Sequence, residues 1–134
     1  MFSLREIEQQ VEELARKIDA PLEGGPTYGT SKDEGTPYVE IYNSNYCFLA
    51  RERDTTTLDQ RTQDIDELLY WVFEYITHKM ASSYAVVHRV SIYHHRRVMF
   101  SRQLDLLEEL NPLWRKRREK EIDNILRLSP DRES

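Results

Sequence analysis

The chain has 134 residues, the length of one domain, and its 39% hydrophobic and 32% charged residues exclude a disordered or fibrous protein. No apolar run approaches the roughly 20 residues of a membrane span, and the N-terminus turns acidic where a signal peptide is apolar. The net charge of −5 is uneven, because residues 1–66 hold 14 acids and 7 bases whereas residues 67–134 hold 10 acids and 12 bases. We therefore expect one cytoplasmic domain over residues 1–134, with an acidic half that favours basic partners over phosphates.

The first predicted element is a helix over residues 4–19. It opens with a capping box of Ser3 and Glu6, after which apolar residues recur at helical spacing. Glycine and proline interrupt the next segment, so any strand over residues 27–31 is short. Beyond Pro37 the hydrophobic period changes to two, which predicts an antiparallel hairpin with its turn at residues 43–45. A more polar edge strand is predicted over residues 57–62.

Three helices are predicted after the strands. The first covers residues 65–89 with apolar side chains on about half of its circumference. The second covers residues 94–110, and Asn111 and Pro112 then serve as N-cap and first residue of the last helix, whose tail from about residue 129 is expected to fray. The expected fold is α+β: an N-terminal helix, a small antiparallel β-meander and three α-helices packed on it.

The two hairpin strands carry aromatic residues at alternate positions. The residues assigned to the core by this alternation are Val39, Ile41, Cys47 and Leu49. The opposite face is then predicted to carry Tyr38, Tyr42, Tyr46, Phe48 and Glu40. Tyrosine is favoured at recognition surfaces because it offers a large contact area at low conformational cost. If a helix covers this face, the same residues are ordinary packing residues, and both interpretations stay open.

Histidine and cysteine are the candidate reactive groups of the chain. Glu74 and His78 lie at i and i+4 on one helix face, a spacing suited to two metal ligands, but no third ligand is spaced to join them. His94 and His95 are adjacent and point about 100° apart on a helix. Cys47 alternates with the inward residues of its strand, which is typical of a small buried hydrophobe. We expect no metal and no cofactor, and keep a small hydrolase built on Glu74 and His78 as an alternative.

A basic run at residues 115–118, together with Arg96 and Arg97, supports a second hypothesis. A nucleic-acid-binding regulator could use these basic residues of the last two helices, and it predicts a contiguous basic surface. Successive helical residues spread around the helix, however, and the run can pair with Glu119 and Glu121 at i, i+4 spacing. Nucleic acid is therefore an unexpected partner.

The most specific motif lies in the first of the three later helices. It comprises Asp66-Glu67-Leu68-Leu69-Tyr70-Trp71-Val72-Phe73, followed by Met80-Ala81, Tyr84 and Arg89. Further residues of the same pattern follow in order along the chain: Pro26-Thr27-Tyr28-Gly29, Glu40, Glu52-Arg53, Arg96-Arg97, Phe100, Gln103, Leu106-Leu107, Trp114 and Ile125-Leu126. In these residues the sequence resembles the Immunity protein 63 family of bacterial polymorphic toxin systems, from the first helix to about Pro130. His94 stands where the family pattern has an acidic residue.

The resemblance implies a non-enzymatic cytoplasmic protein that protects its own bacterium by binding and occluding a cognate toxin domain. An acidic first half would suit a basic nuclease as that toxin, no membrane is involved, and a homo-oligomer is compatible with this function. Interfaces of this kind concentrate their energy in a few aromatic and charged anchors. The predicted partner-binding residues are the outward strand residues and nearby acids: Tyr38, Glu40, Tyr42, Tyr46, Glu52, Asp54 and Asp59.

Overall fold

The computed structural model describes residues 1–88 and 94–130. The elements in chain order are α1 (Leu4–Lys17), β1 (Thr27–Tyr28), β2 (Tyr38–Tyr42), β3 (Asn45–Glu52), β4 (Thr55–Thr62), α2 (Ile65–His88), α3 (His95–Leu110) and α4 (Pro112–Leu128). The predicted α+β class and the order of helix, strands and helices are confirmed. Arg89, which belongs to the sequence motif and to the predicted helix over residues 65–89, lies outside the described residues.

Backbone contacts group the chain into two compact units, Met1–Val72 and Phe73–Ser134. The division falls inside α2, so the first unit holds α1, the sheet and the start of α2. The second unit holds the rest of α2 together with α3 and α4. The expectation of a single domain over the whole chain stays a prediction.

Two predicted helix starts are confirmed at atomic detail. The Ser3 hydroxyl accepts from the Glu6 amide at 3.1 Å and the Glu6 carboxylate accepts from the Ser3 amide at 3.0 Å, which completes the capping box of α1. The hydrogen bond from the Ser3 amide also lowers the pKa of the Glu6 carboxyl. At α4 the Asn111 side chain accepts from the Leu113 amide at 2.9 Å, with Pro112 in the first turn, where its missing N–H needs no partner.

In the first unit, α1 packs against the sheet through one apolar stripe. Ile7, Val11 and Ala15 are buried on that stripe, and the helix contacts β2. The helix approaches β1 so closely that a Cβ on Gly29 would lie 3.3 Å from Leu4 Cδ1. Because Gly29 also has φ of +79°, both the backbone conformation and the contact with Leu4 favour glycine there.

The sheet has the strand order β1-β2-β3-β4, and its β2–β3 and β3–β4 pairs are antiparallel, as the predicted meander requires. For β1 the sequence predicted only that a strand would be short, and its two residues pair with β2 in parallel. Between β1 and β2, residues 34 and 35 lie antiparallel beside the end of β3. Glu34 bridges Glu52, and the Gly35 amide donates to the Arg51 carbonyl at 2.8 Å. The chain thereby doubles back and enters β2 in the direction of β1.

The β2–β3 turn determines which side chains share a face. Asn43 and Ser44 adopt φ values of 51° and 62°, and the strands pair immediately beside them, Tyr42 with Asn45. Positive φ at both central residues is typical of a two-residue hairpin turn. Such a turn pairs even-numbered residues of one strand with odd-numbered residues of the other. The predicted alternation instead requires odd-numbered residues to face the same way on both strands.

Cross-strand partners share a face, so the predicted aromatic face is divided between the two sides of the sheet. Tyr38 pairs with Leu49, whereas Tyr46 pairs with Ile41. The prediction that Tyr38, Tyr42 and Tyr46 lie on one face is therefore wrong. We call one side the outer face, formed by Tyr38, Glu40, Tyr42, Asn45, Cys47, Leu49, Asp59 and Arg61. The other side is the inner face, formed by Val39, Ile41, Tyr46, Phe48, Ala50, Leu58, Gln60 and Thr62.

The second unit has a core of its own between helices. Ala81 and Ala85 of α2 pack with Met99 and Phe100 of α3 and with α4 residues. Phe73 and Trp114 also stack in this unit, with ring centroids 6.0 Å apart and planes inclined by 21°. Met99 and Trp114 are both buried in the second unit.

Candidate functional site

The outer face combines an exposed tyrosine with an ion pair. Arg61 donates to both carboxylate oxygens of Asp59, at 2.9 Å from Nε and 3.4 Å from Nη2. Its guanidinium carbon lies 5.9 Å from the centroid of the Tyr42 ring, within the range of a cation–π contact. The hydrogen bond from Arg61 lowers the pKa of the Asp59 carboxyl, so this carboxyl remains charged to a lower pH.

The three tyrosines predicted to bind the partner differ in their exposure to solvent. Tyr42 is 57% exposed, whereas Tyr38 is 8% and Tyr46 is 3% exposed. Tyr38 forms a small cluster with Cys47 and Leu49 on the outer face. Tyr46 lies on the inner face, where its hydroxyl accepts from the Phe2 amide at 2.8 Å. In the isolated protein only Tyr42 of these three offers a large ring surface to a partner.

Cys47 is buried as predicted, but it lies on the outer face and not on the face of Val39 and Ile41. It is fully buried, and burial raises the pKa of its thiol. The positive charge of Arg61 acts in the opposite direction, but it is the smaller effect. A thiol that stays protonated and enclosed is a packing group and not a nucleophile.

Glu52 and Asp54 lie at the β3–β4 turn, away from Tyr42. Both are exposed, and Asp54 approaches Arg51 at 3.9 Å between the carboxylate and the guanidinium. The Asp54 amide donates to the Asp33 carboxylate at 3.3 Å, which ties the loop of residues 29–37 to the turn. Asp59 is four residues from Thr55, the first residue of β4, which is roughly 13 Å along a strand at about 3.3 Å per residue. The predicted acids therefore extend along the sheet instead of forming one cluster.

Of the seven predicted partner-binding residues, the structure places four on the outer face: Tyr38, Glu40, Tyr42 and Asp59. Sequence reasoning missed Arg61, the residue that orders this surface. Asp59 and Arg61 are two apart on a predicted strand, so their side chains had to lie on one face. The two-residue spacing of Asp59 and Arg61 is the sequence signal that could have identified Arg61.

The second unit holds a buried polar network around Arg118. The side chain of Arg118 is only 9% exposed, and its Nη2 lies 3.2 Å from the Glu74 carboxylate. Its Nε donates to the Gln103 side-chain oxygen at 3.0 Å, and its Nη1 donates to Glu121 at 3.1 Å. The Glu74 carboxylate is thus bound to a guanidinium, which is a different arrangement from a metal ligand paired with His78.

Gln103 extends the network from α3 to α2. Its amide nitrogen donates to the Glu74 carbonyl at 3.1 Å and lies 3.2 Å from the Thr77 hydroxyl. The Thr77 hydroxyl in turn donates to the Phe73 carbonyl at 2.6 Å. Since Gln103 and Thr77 are both fully buried, this network connects three helices through satisfied polar groups.

Three arginines of the basic run are paired with carboxylates. Arg115 pairs with Glu119 at 3.0 Å, and Arg117 pairs with Glu121 at 3.5 Å, so both predicted i, i+4 pairs are confirmed. Arg118 is buried within the polar network. Within residues 115–118, carboxylates thus lie beside three of the four basic side chains.

The comparison with known families is specific. The model of the family described as Immunity protein 63 matches residues 42–124, which is more than half of the chain. The chain belongs to the Immunity protein 63 family. No curated protein and no solved structure matches the chain.

The Immunity protein 63 match is shorter than the resemblance that the sequence motif suggested. It begins at Tyr42 and leaves out α1, β1 and most of β2. Tyr38 and Glu40 precede the match, whereas the exposed part of the outer face from Tyr42 to Arg61 lies within it. The polar network around Arg118 also lies within the matched segment.

Two further observations concern the residues that the structure describes. None of the helices within residues 1–88 and 94–130 combines the length and the apolar character needed to cross a bilayer. The same residues contain no group of three or more His, Cys, Asp or Glu side chains placed to hold a metal ion.

Proposed function

We propose that this protein is an immunity protein that protects the producing bacterium by binding and occluding a cognate polymorphic toxin domain. Membership of the Immunity protein 63 family is the observation that carries the proposal. The protein acts by binding in the cytoplasm and needs neither catalysis nor a cofactor. Its buried Cys47 and its arginine-bound Glu74 have roles in packing, which agrees with this mode of action.

The contact surface in this proposal is centred on Tyr42. Its ring is exposed beside the Asp59–Arg61 pair, an arrangement of aromatic and charged groups that suits an interface anchor. Glu40 and Asp59 lie on the same face, and the acids Glu52 and Asp54 extend the surface toward the β3–β4 turn.

Tyr38 and Tyr46 have a supporting role in this proposal. Both are buried in the free protein, so a partner that meets a preformed surface gains little new contact area with either ring. Tyr38 packs with Cys47 and Leu49 on the outer face, and the hydroxyl of Tyr46 accepts a hydrogen bond from the Phe2 amide. Substitution of Tyr38 or Tyr46 is therefore expected to lower the stability of the fold more than the affinity for the toxin.

The negative charge of residues 1–66 favours a basic protein as the partner. Residues 1–66 have 14 acids against 7 bases, and the acids of the proposed surface belong to this half. An acidic surface accelerates association with a basic protein through long-range attraction. A nuclease domain, which carries basic residues for its phosphate substrate, is the toxin class that fits this surface.

The test is binding of the purified protein to the toxin domain encoded by the neighbouring gene, measured by calorimetry with wild type, Tyr42→Ala and Tyr84→Ala. Tyr84 is the matched control because it is an exposed tyrosine of the second unit. We expect Tyr42→Ala to weaken binding by about 2 kcal/mol, roughly 30-fold in Kd, and Tyr84→Ala to change Kd less than threefold, roughly 0.6 kcal/mol.

Each outcome tests a different part of the proposal. If the wild-type protein does not bind the toxin domain, the proposed function is wrong. If Tyr84→Ala weakens binding and Tyr42→Ala does not, the function stands and the outer face is the wrong surface.

A further inference from the structure

Strand β4 forms one edge of the sheet. In the strand order β4 has β3 as its single neighbour. Within the described residues, no backbone hydrogen bond joins the opposite edge of β4 to another segment. Its side chains at Thr55, Thr56, Thr57, Asp59 and Arg61 are exposed. In an antiparallel strand, alternate residues point their backbone N–H and C=O groups away from the neighbour. These groups form a template on which another strand can pair.

The second half of β4 contains no proline, lysine or β-bulge, and its charged side chains are Asp59 and Arg61. Natural sheets interrupt their edges with proline, lysine or a β-bulge. The pairing of β4 with β3 is regular from Leu58 to Thr62, and its one irregularity lies before Leu58. That regular stretch, Leu-Asp-Gln-Arg-Thr, contains neither proline nor lysine. It offers five consecutive residues of regularly paired edge strand.

The charges on this edge are self-complementary. Asp59 and Arg61 lie on the same face with Gln60 between them. A second copy related by a two-fold axis through Gln60 places its Arg61 opposite Asp59 and its Asp59 opposite Arg61. Residues directly opposite in an antiparallel pair have Cβ atoms about 5 Å apart, within reach of an ion pair. In this register Asp59 of each chain lies opposite Arg61 of the other.

Other registers are disfavoured by the same charges. A two-fold axis at Asp59 brings two carboxylates together, and an axis at Arg61 brings two guanidinium groups together. Parallel pairing in register also places like charges side by side, and like charges directly opposite are destabilising. From this we infer that the protein self-associates through antiparallel pairing of β4 with β4 of a second copy, centred on Gln60.

This inference goes beyond the proposed function and does not depend on it. The pairing joins two four-stranded sheets into one continuous sheet. Because the two-fold axis is perpendicular to the sheet, both outer faces point to the same side, and a dimer presents two copies of Tyr42 on one surface. The interface uses five residues of each chain, so a weak dimer is expected, at the low end of specific interfaces.

The experiment uses charge reversal with rescue. Sedimentation equilibrium of the full chain, up to about 1 mM, measures self-association of wild type, Arg61→Glu and Asp59→Lys. We expect wild type to self-associate and each variant to do so at least about tenfold more weakly, because two cross-strand attractions become repulsions. An equimolar mixture of the two variants restores opposite charges at both positions. It is expected to form a heterodimer with an affinity close to that of the wild-type dimer.

Matched controls separate this effect from a general change of charge. Arg115 and Glu119 form an ion pair on α4, and Arg115→Glu and Glu119→Lys change the net charge by the same amounts. These controls are expected to associate like wild type. Circular dichroism of every variant checks the fold, which we expect to survive because Asp59 and Arg61 are exposed.

Amide hydrogen exchange on the wild-type chain gives an independent readout that needs no variant. Residues 58–62 are expected to gain protection as the protein concentration rises. A wild-type chain that stays monomeric at about 1 mM overturns the inference, as does a variant mixture without heterodimer. Protection of residues 58–62 only when the toxin domain is bound assigns the edge to a strand of the toxin, and this also overturns pairing with a second copy.

Discussion

Two arginine–carboxylate pairs, one in each compact unit, have the same chemistry and opposite surroundings. Arg61 and Asp59 lie on the outer face with side chains 45% and 46% exposed. Arg118 and Glu74 lie among three helices, with the Arg118 side chain 9% exposed and its other donors bound to Gln103 and Glu121. Water competes for both members of the first pair, whereas in the second pair it reaches Glu74, whose side chain is 32% exposed, far more than Arg118.

Burial decides what each pair can do. An exposed ion pair contributes about 0–1 kcal/mol to stability, so Arg61 and Asp59 can exchange partners without endangering the fold. A buried arginine has lost its hydration and depends on its protein partners, so removal of any member leaves a polar group unsatisfied. The outer face is thus suited to recognition and the Arg118 network to holding the three helices in one arrangement.

The largest expected effect is on the buried pair. Arg118→Ala leaves the Glu74 carboxylate and the Gln103 side chain without their partner, and we expect the free energy of unfolding to fall by about 3–5 kcal/mol. Urea denaturation measures this loss. Arg115→Ala, on the exposed side of the same helix, is the control and should lower stability by less than about 1 kcal/mol. Equal losses for the two variants would show that the network contributes no more than a surface pair.

A smaller loss is expected at the residue that joins α3 to the network. Gln103→Leu removes the acceptor of Arg118 Nε and the donor to Thr77, for an expected loss of about 1–3 kcal/mol in the free energy of unfolding. Thr77→Val and the double variant complete a thermodynamic cycle. Since both residues belong to one network, the effects of the two substitutions should be less than additive. Strict additivity in urea denaturation would contradict the coupling between them.

The local elements of this fold could be predicted from the sequence because their causes are local. Ser3 with Glu6 and Asn111 with Pro112 define helix starts within a few residues, and a change of period at Pro37 defines the strands. The sheet face was mispredicted because one turn residue more or less reverses every side chain. The predicted turn of residues 43–45 is one residue longer than the turn of Asn43 and Ser44 that the strand register requires.

The candidate site and the polar network depend on contacts that are distant in sequence. Arg118 meets Gln103 and Glu74 only after three helices have packed, and no periodicity indicates that meeting. The parallel pairing of β1 likewise depends on a loop that folds back beside β3. Tyr42 was predicted as a surface residue by alternation and Asp59 as a nearby acid, whereas the burial of Tyr38 and Tyr46 followed from the register.

Tyr42 and Tyr46 allow a second comparison of an exposed with a buried residue, because they are 57% and 3% exposed. Tyr46→Phe removes the hydroxyl that accepts from the Phe2 amide, and we expect a loss of about 1 kcal/mol in the free energy of unfolding with unchanged toxin affinity. Tyr42→Phe is the control and should leave stability unchanged, because its ring is exposed. Thermal denaturation and calorimetric binding are measured on both variants. A loss of affinity for Tyr46→Phe without a loss of stability would place Tyr46 in the interface.

The smallest expected effect is on the exposed pair of Asp59 and Arg61, and it is measured as a change in the pKa of Asp59. Arg61 holds the pKa of Asp59 below its usual value, so the folded protein keeps this carboxylate charged to lower pH than the unfolded chain does. Its contribution to stability is therefore complete above the unfolded pKa of about 3.9 and is lost as the pH falls through the lower folded pKa. In Arg61→Ala the pKa of Asp59 should rise toward its usual value, as followed by NMR of the carboxyl carbon. Arg61→Lys should give an intermediate pKa, because an ammonium keeps the charge but loses the two-point contact. If the Asp59 titration is the same in wild type and Arg61→Ala, the pair is not formed in solution, and both charges are already free for a partner.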